Sequence, residues 1–280
     1  MTQTRSAARQ AAHIAVPKGS RPSVLGRRAT PAVASAQPDV AQPKTVILCG
    51  GRGMRLRPLT DRVPKPLVPL HGKPTLQHLL ESYVKRGFRQ FVICTGYRGD
   101  MIRQFVSGLP LGASIDFSEA GESASILQRL HAARQFMGER AFVAYGDTLI
   151  HVDLDGMLRD HVASGAVITI STAAVRSPFG LVTLADDRWI ASFDEKPLQL
   201  FYVGHMLLNR AVLDGLDPEL LSLPDGEGLV RLFRGLLAAR RLRMFAYSGP
   251  QITFNTPLEL QQAERNAIAF FTQQEETRCP

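Results

Sequence analysis

An apolar, β-branched run from Thr45 to Leu48 ends abruptly in Cys49-Gly50-Gly51-Arg52-Gly53, and no other stretch constrains the fold as much. A short uninterrupted apolar run reads as a strand buried on both faces, as in a parallel sheet. The three glycines permit backbone conformations and close approaches that a Cβ would forbid. Consecutive turn amides in such a loop can form an anion-binding concavity. Arg52, Arg55 and Arg57 follow before any carboxylate, and Lys65 comes soon after. A buried strand, a glycine turn and clustered cations predict an α/β domain that holds a polyphosphate. Two familiar phosphate loops are excluded. The Walker string of Gly, four residues and Gly-Lys-Ser/Thr is absent, and the third glycine of Gly-x-Gly-x-x-Gly would fall at Leu56.

What remains is Gly50-Gly51-Arg52-Gly53-Met54-Arg55-Leu56-Arg57-Pro58-Leu59-Thr60, then Pro64-Lys65-Pro66. This string resembles the signature of the sugar-1-phosphate nucleotidylyltransferases. Cys94-Thr95-Gly96-Tyr97-Arg98-Gly99 is similar to the second-strand exit of glucose-1-phosphate cytidylyltransferases. The resemblance implies a doubly wound, mainly parallel, Rossmann-like sheet with a smaller β-rich substrate-binding part. The partners it implies are a nucleoside triphosphate and a sugar 1-phosphate, with a homo-oligomer left open. The implied reaction releases pyrophosphate and forms a nucleotide sugar, with cytidylyl transfer to a hexose 1-phosphate the nearest local match. Guanylyl or uridylyl transfer to another sugar or cyclitol phosphate stands beside it, as does a regulatory homologue that binds without turnover.

The same resemblance assigns roles residue by residue. Leu48, Gly50, Gly51, Gly53, Gly96 and Ser125 would contact the nucleotide, and Arg55 and Lys65 would carry catalysis. Asp147, in a Gly146-Asp147 pair after the apolar strand Ala141–Tyr145, would ligate Mg2+. Asn255 stands where these enzymes usually carry a second magnesium carboxylate, and an amide oxygen can ligate magnesium but brings no charge. Glu195 and Lys196, in Asp194-Glu195-Lys196-Pro197, would meet the sugar and its phosphate. Two departures stand out. Ser125-Ile126 replaces a small-residue pair near the base, and Met54 replaces a usual threonine. The lone His205 reads either as a structural residue or as a sugar-pocket residue.

Periodicity supplies the frame. Leu76, Leu79, Leu80, Tyr83 and Val84 recur at helical spacing after Thr75, a candidate N-cap, and Gly87 closes that helix. A strand at Phe91–Cys94 and a helix carrying Ile102, Phe105 and Val106 follow. This alternation predicts a parallel sheet. From Ala166 onward short strands dominate: 167–172, 181–184, 189–193 and 201–208. Leu229, Phe233 and Leu236 mark a late helix, Leu242–Tyr247 a last strand, and Thr256-Pro257-Leu258-Glu259 the start of a closing helix. The domain reading is an extension over residues 1–43 and a nucleotidyltransferase domain over 44–280, divided into nucleotide (44–165) and sugar-phosphate (166–280) halves.

The chain has 280 residues, 45% of them hydrophobic, which is ample for one core. Residues 1–43 are rich in Ala, Pro, Ser, Gln and Arg, a composition that predicts disorder. They hold +5 of the net charge of +8. The basic balance is partly a property of this segment, and no nucleic-acid recognition motif accompanies it. No apolar run approaches the roughly 20 residues of a membrane span. Cys49, Cys94 and Cys279 show no metal-ligand spacing, and an odd count argues against a disulfide framework, which fits a reducing cytoplasm.

Overall fold

The computed structural model describes residues 41–276. The expected extension therefore lies, up to residue 40, outside the described residues, as does Cys279. The frame is a seven-stranded sheet. Its strands are β1 (Lys44–Leu48), β2 (Gln90–Thr95), β3 (Ser114–Glu119), β4 (Arg140–Tyr145), β5 (Ile168–Arg176), β6 (Leu198–Asn209) and β7 (Leu242–Tyr247). They lie in the order β3-β2-β1-β4-β6-β5-β7. β6 runs antiparallel to both its neighbours, and the other adjacent pairs are parallel. This is the doubly wound α/β sheet that the alternation predicts. The glycine loop leaves β1 near the centre of the sheet, where open α/β folds place their ligands.

Helices cover both faces. On one side pack α1 (Thr75–Lys85), α2 (Gly99–Ser107), α4 (Leu154–Ser164) and α6 (Pro257–Glu276), around Ile47, Ile93, Phe142 and Leu207. On the other, α3 (Ile126–Ala133) and α5 (Glu227–Ala238) cover Val46, Val92, Val143 and Met206. Alternate residues of β1 therefore enter opposite cores, which is why the run reads as unbroken apolar sequence. In α1 the apolar residues at helical spacing, Leu76, Leu79, Leu80 and Tyr83, are all buried. Thr75 is the first helical residue rather than the cap. Pro74 holds the cap position in an extended conformation, and the Thr75 hydroxyl donates to Val68 O at 3.3 Å. α3 opens with a capping box, Ser125 accepting from Gln128 N while Gln128 accepts from Ser125 N. Asp153 caps α4 through Gly156 N at 2.9 Å.

β6 is longer than its periodicity suggests. Residues Leu198 to Tyr202 pair with Arg176 to Thr172, and the register shifts between Tyr202 and Met206. Gly204 sits in that irregularity with φ +79, and a Cβ there would approach Tyr145 Cδ2 to 2.7 Å. The glycine therefore lets β6 pass across the aromatic ring that closes β4. Beyond this bend, β5 and β6 continue as an arm joined to an antiparallel ribbon of Leu181–Leu184 and Ile190–Asp194. The arm leaves Phe179, Trp189 and Phe193 exposed.

Candidate active site

The loop after β1 is fixed by its neighbours at both ends. Cys49 N donates to Cys94 O at 2.9 Å, Tyr97 N to Gly50 O at 3.1 Å, and Gly146 N to Leu48 O at 3.0 Å. The carboxyl ends of β1, β2 and β4 are thus tied together. Gly53 has φ +60, and an added Cβ would press on Thr60 Cγ2 at 3.0 Å and Lys65 Cβ at 3.1 Å. Only glycine meets both demands at this turn. Leu56, wholly buried, anchors the loop in the core, while Arg52, Met54 and Arg55 stay at the surface.

Four residues predicted from separate parts of the sequence converge beside this loop. Lys65 Nζ donates to Asp147 Oδ2 at 2.5 Å and to Asn255 Oδ1 at 3.0 Å, and Arg55 Nη2 donates to the same Asn255 oxygen at 3.0 Å. The Lys65 side chain is 9% exposed and that of Asp147 28%. Each member is positioned by its own element. A short turn, Lys65–Leu67, sinks Lys65 against Phe254, with Nζ 5.8 Å from the ring centre. Asp147 follows β4, and Thr148 donates to its Oδ1 at 3.2 Å. Thr148–Leu149 pairs antiparallel with Ile252–Thr253, which brings Asn255 alongside. The Glu259 carboxylate accepts from Asn255 N at 2.7 Å, while Glu259 N donates to Thr256 Oγ1 at 3.2 Å. The start of α6 therefore serves as a bracket for Asn255.

The cluster stands at the head of a cavity of about 600 Å3. Leu48, Gly50, Gly51, Gly53, Arg55, Lys65, Asp147 and Asn255, all foreseen, line it. Glu122, Ser123, Ala124, Ile126, Arg129 and Asp225 line it as well. Arg52 Nη2 meets Glu122 Oε2 across the opening at 2.6 Å. Both cations (Arg52, Arg55, Lys65, Arg129) and carboxylates (Glu122, Asp147, Asp225) therefore line the cavity.

Arg129, which periodicity alone assigns to an ordinary helix, holds the loops around this cavity. Its side chain is buried in α3. Nη1 donates to Thr95 O at 2.6 Å, and Nη2 to Gly50 O at 3.2 Å and Glu122 O at 3.1 Å. Burial holds its pKa below the usual guanidinium range. Gly50 and Gly96 both lie against this guanidinium, so at each a Cβ would collide with it. The one signal in the sequence was a charged residue flanked by the buried Leu127 and Leu130.

Four predicted residues lie away from the cavity wall. Gly96 faces Arg129. The buried Ser125 is engaged in the α3 capping box. Glu195 and Lys196 sit on the arm, 65% and 57% exposed and 3.8 Å from each other, with Lys196 in a turn at φ +47. His205 is likewise not in the cavity. It is buried under the sheet and stacks on Tyr83 with ring centroids 6.3 Å apart. Burial holds it neutral, with its pKa lowered to about 3. Cys49, beside the glycine loop, has a thiol pushed well up by burial, and nearby Cys94 and Asp147 add to the effect. A thiol so disfavoured from ionising is an inert wall residue rather than a nucleophile.

For a metal, the head of the cavity offers Asp147 and the amide oxygen of Asn255. Among the described residues no group of three or more His, Cys, Asp or Glu is arranged around a common point. A hard oxygen donor set with so few protein ligands suits magnesium, which takes its remaining ligands from phosphates and water.

Comparison with known proteins bears on the family and the fold. Residues 44–216 match the family model described as nucleotidyl transferase. The chain is 28% identical over 203 residues to the glucose-1-phosphate cytidylyltransferase of Salmonella typhimurium, covering 63% of this chain and 79% of that one. It is 33% identical over 215 residues to the mannose-1-phosphate guanyltransferase beta-B of Xenopus laevis, covering 72% and 59% respectively. The crystal structure of HddC from Yersinia pseudotuberculosis superposes with a TM-score of 0.62 at 20% identity, over 81% of this chain and all of that one, and so speaks for the fold. With the family model matching residues 44–216, more than half of the chain, the chain belongs to the nucleotidyl transferase family of enzymes.

Proposed function

We infer that the chain joins a nucleoside triphosphate to a sugar 1-phosphate, releasing pyrophosphate and forming a nucleotide sugar. The observation that carries this reading is the meeting of Arg55, Lys65, Asp147 and Asn255 at the head of one cavity behind a glycine loop. Cytidylyl transfer to a hexose 1-phosphate is the proposed reaction. The sequence around Cys94–Gly99 and the Salmonella relative support it. Uridylyl and guanylyl transferases also stand among the relatives, so guanylyl or uridylyl transfer to another sugar or cyclitol phosphate is the alternative within the class.

The chemistry asks little of a general base. A phosphate monoester has its second pKa near ~6 and is largely dianionic at neutral pH, so the nucleophile comes ready-made. The requirement is to bring two anions into line and to neutralise charge that builds on the leaving pyrophosphate. Loop amides around Gly51 and Gly53 hold the triphosphate, and Arg55, exposed beside them, takes the leaving group. Lys65, poised between Asp147 and Asn255, offers its ammonium to the α-phosphate and the incoming phosphate. Asp147 and Asn255 would hold magnesium, which when bound supplies positive charge to the phosphate oxygens. Glu195 and Lys196 would reach the sugar phosphate from the arm, an assignment that rests on the motif.

A nucleotide-sugar-binding regulator is the second reading, favoured by the lone carboxylate at the head of the cavity. Incubation with magnesium, each nucleoside triphosphate and a panel of sugar 1-phosphates, with the product read by mass, separates the two. A nucleotide sugar from one pair supports the enzyme. Intact substrates from every pair, with nucleotide still bound, support the regulator.

A further inference from the structure

We propose that Asp225 is the residue that reads the base, selecting one that presents an exocyclic amino group, cytosine within the reading above, over the keto bases uracil and thymine. The inference rests on the nucleotidyl-transfer reading and adds a specificity determinant to it. Asp225 precedes α5, far in sequence from the phosphate loop, yet it lines the same cavity as Arg55 and Lys65. A triphosphate held by Arg55 and Lys65 keeps its phosphates away from the Asp225 carboxylate, which would repel them, and leaves the base as the part of the nucleotide that can approach it.

The carboxylate is oriented. Ile126 N, the first amide of α3, donates to Asp225 Oδ1 at 2.8 Å, which leaves Oδ2 as an acceptor. The arginines nearby have partners of their own. Arg129 donates to the carbonyls of Thr95, Gly50 and Glu122, and Arg52 is paired with the Glu122 carboxylate. Asp225 therefore offers an acceptor to a base edge. A carboxylate accepts from the N4 amino group of cytosine and is repelled by the O4 carbonyl that replaces it in uracil. Ser125, the residue expected at the base, has its hydroxyl committed to Gln128 N and leaves the task to its neighbour across the loop.

The test is titration calorimetry of the purified full chain with CTP and with UTP, for the wild type, Asp225→Asn and Asp225→Ala. The asparagine keeps an Oδ1 to cap Ile126 but turns the other position into a donor. Expected is a wild-type preference for CTP of about 10- to 100-fold, abolished in Asp225→Ala and abolished or inverted in Asp225→Asn. A residue that only capped α3 would weaken both nucleotides alike, and an unchanged CTP-to-UTP ratio in Asp225→Asn overturns the proposal. Wild-type preference for UTP overturns it too while leaving nucleotidyl transfer standing. Binding of neither CTP nor UTP overturns it as well, and silence of GTP, dTTP and ATP in the same titration would remove nucleotidyl transfer too.

Discussion

Replacing Arg129 with methionine tests whether the nucleotide cavity is held open by one buried guanidinium. The substitution keeps a long, flexible side chain that fills the space while removing every donor. Three hydrogen bonds are lost, to Thr95 O at 2.6 Å, Glu122 O at 3.1 Å and Gly50 O at 3.2 Å. Hydrogen bonds from a charged donor contribute about 1.5–3 kcal/mol each, so their independent sum is an upper bound of ~9 kcal/mol. Two effects reduce it. Burial already disfavours the charged guanidinium, as its lowered pKa indicates, and Gly50 O keeps a second donor in Tyr97 N at 3.1 Å. A net loss of about 3–5 kcal/mol follows, in the range for breaking a buried charged contact. In a protein of this size that corresponds to a fall in melting temperature of ~6–20 °C. The assay is guanidinium unfolding of wild type and Arg129→Met, with the midpoint expected to drop and the slope unchanged. A loss under about 1 kcal/mol would refute the idea that Arg129 carries these loops.

Other outcomes follow from the same geometry. Arg55→Ala should leave the unfolding midpoint near wild type and lower kcat by about 10²–10³, the usual cost of losing one charge stabiliser at a reacting phosphate; a wild-type rate would remove Arg55 from the mechanism. Asn255→Asp should be tolerated, because Lys65 and Arg55 already donate to that oxygen, and should lower the magnesium concentration for half-maximal activity several-fold. An unchanged magnesium curve would mean that Asn255 is no ligand. His205 and His151 have folded-state pKa values lowered to about 3 and about 4 by burial, against an ordinary histidine value of 6.5. Such groups stabilise the fold fully above pH 6.5. As pH falls the unfolded chain takes up protons first, and the stability is lost towards pH 4 and below, at up to about 1.4 kcal/mol per pH unit for each group. His205→Phe should flatten that slope in equilibrium unfolding between pH 6 and pH 4, and an unaltered slope would count against it.

The legible parts of the fold were those written locally. A run such as Thr45–Leu48 carries its own burial pattern, because a parallel central strand is apolar on both faces. Ser125-Ile126-Leu127-Gln128 and Thr256-Pro257-Leu258-Glu259 announce helix starts through side chains that satisfy terminal amides. Arg55, Lys65, Asp147 and Asn255 were readable because each sits in a motif. Their meeting was not, since it depends on the pairing of Thr148–Leu149 with Ile252–Thr253 across about a hundred residues.

Arg129 and Asp225 were hidden for different reasons. A charged residue in an amphipathic helix normally turns to solvent, and only the carbonyls of three separate loops make burial of Arg129 favourable. Asp225, in Pro224-Asp225-Gly226, reads as an ordinary turn, and its role exists only once α5 is packed beside α3. The length of β6 was also beyond local reading, because residues 198–200 become strand by pairing with β5.

The central claim, that the cluster around Lys65 performs nucleotidyl transfer, is tested most directly by pyrophosphate release. The wild type, Lys65→Met and Asp147→Asn would each be assayed with magnesium, crossing CTP, GTP, UTP, dTTP and ATP with a panel of sugar 1-phosphates. The account predicts that one pair, CTP with a hexose 1-phosphate, releases pyrophosphate in step with nucleotide-sugar formation, and that either substitution slows it by at least about 10²-fold. Release that is undiminished in Lys65→Met, or absent from the wild type with every pair, would contradict it.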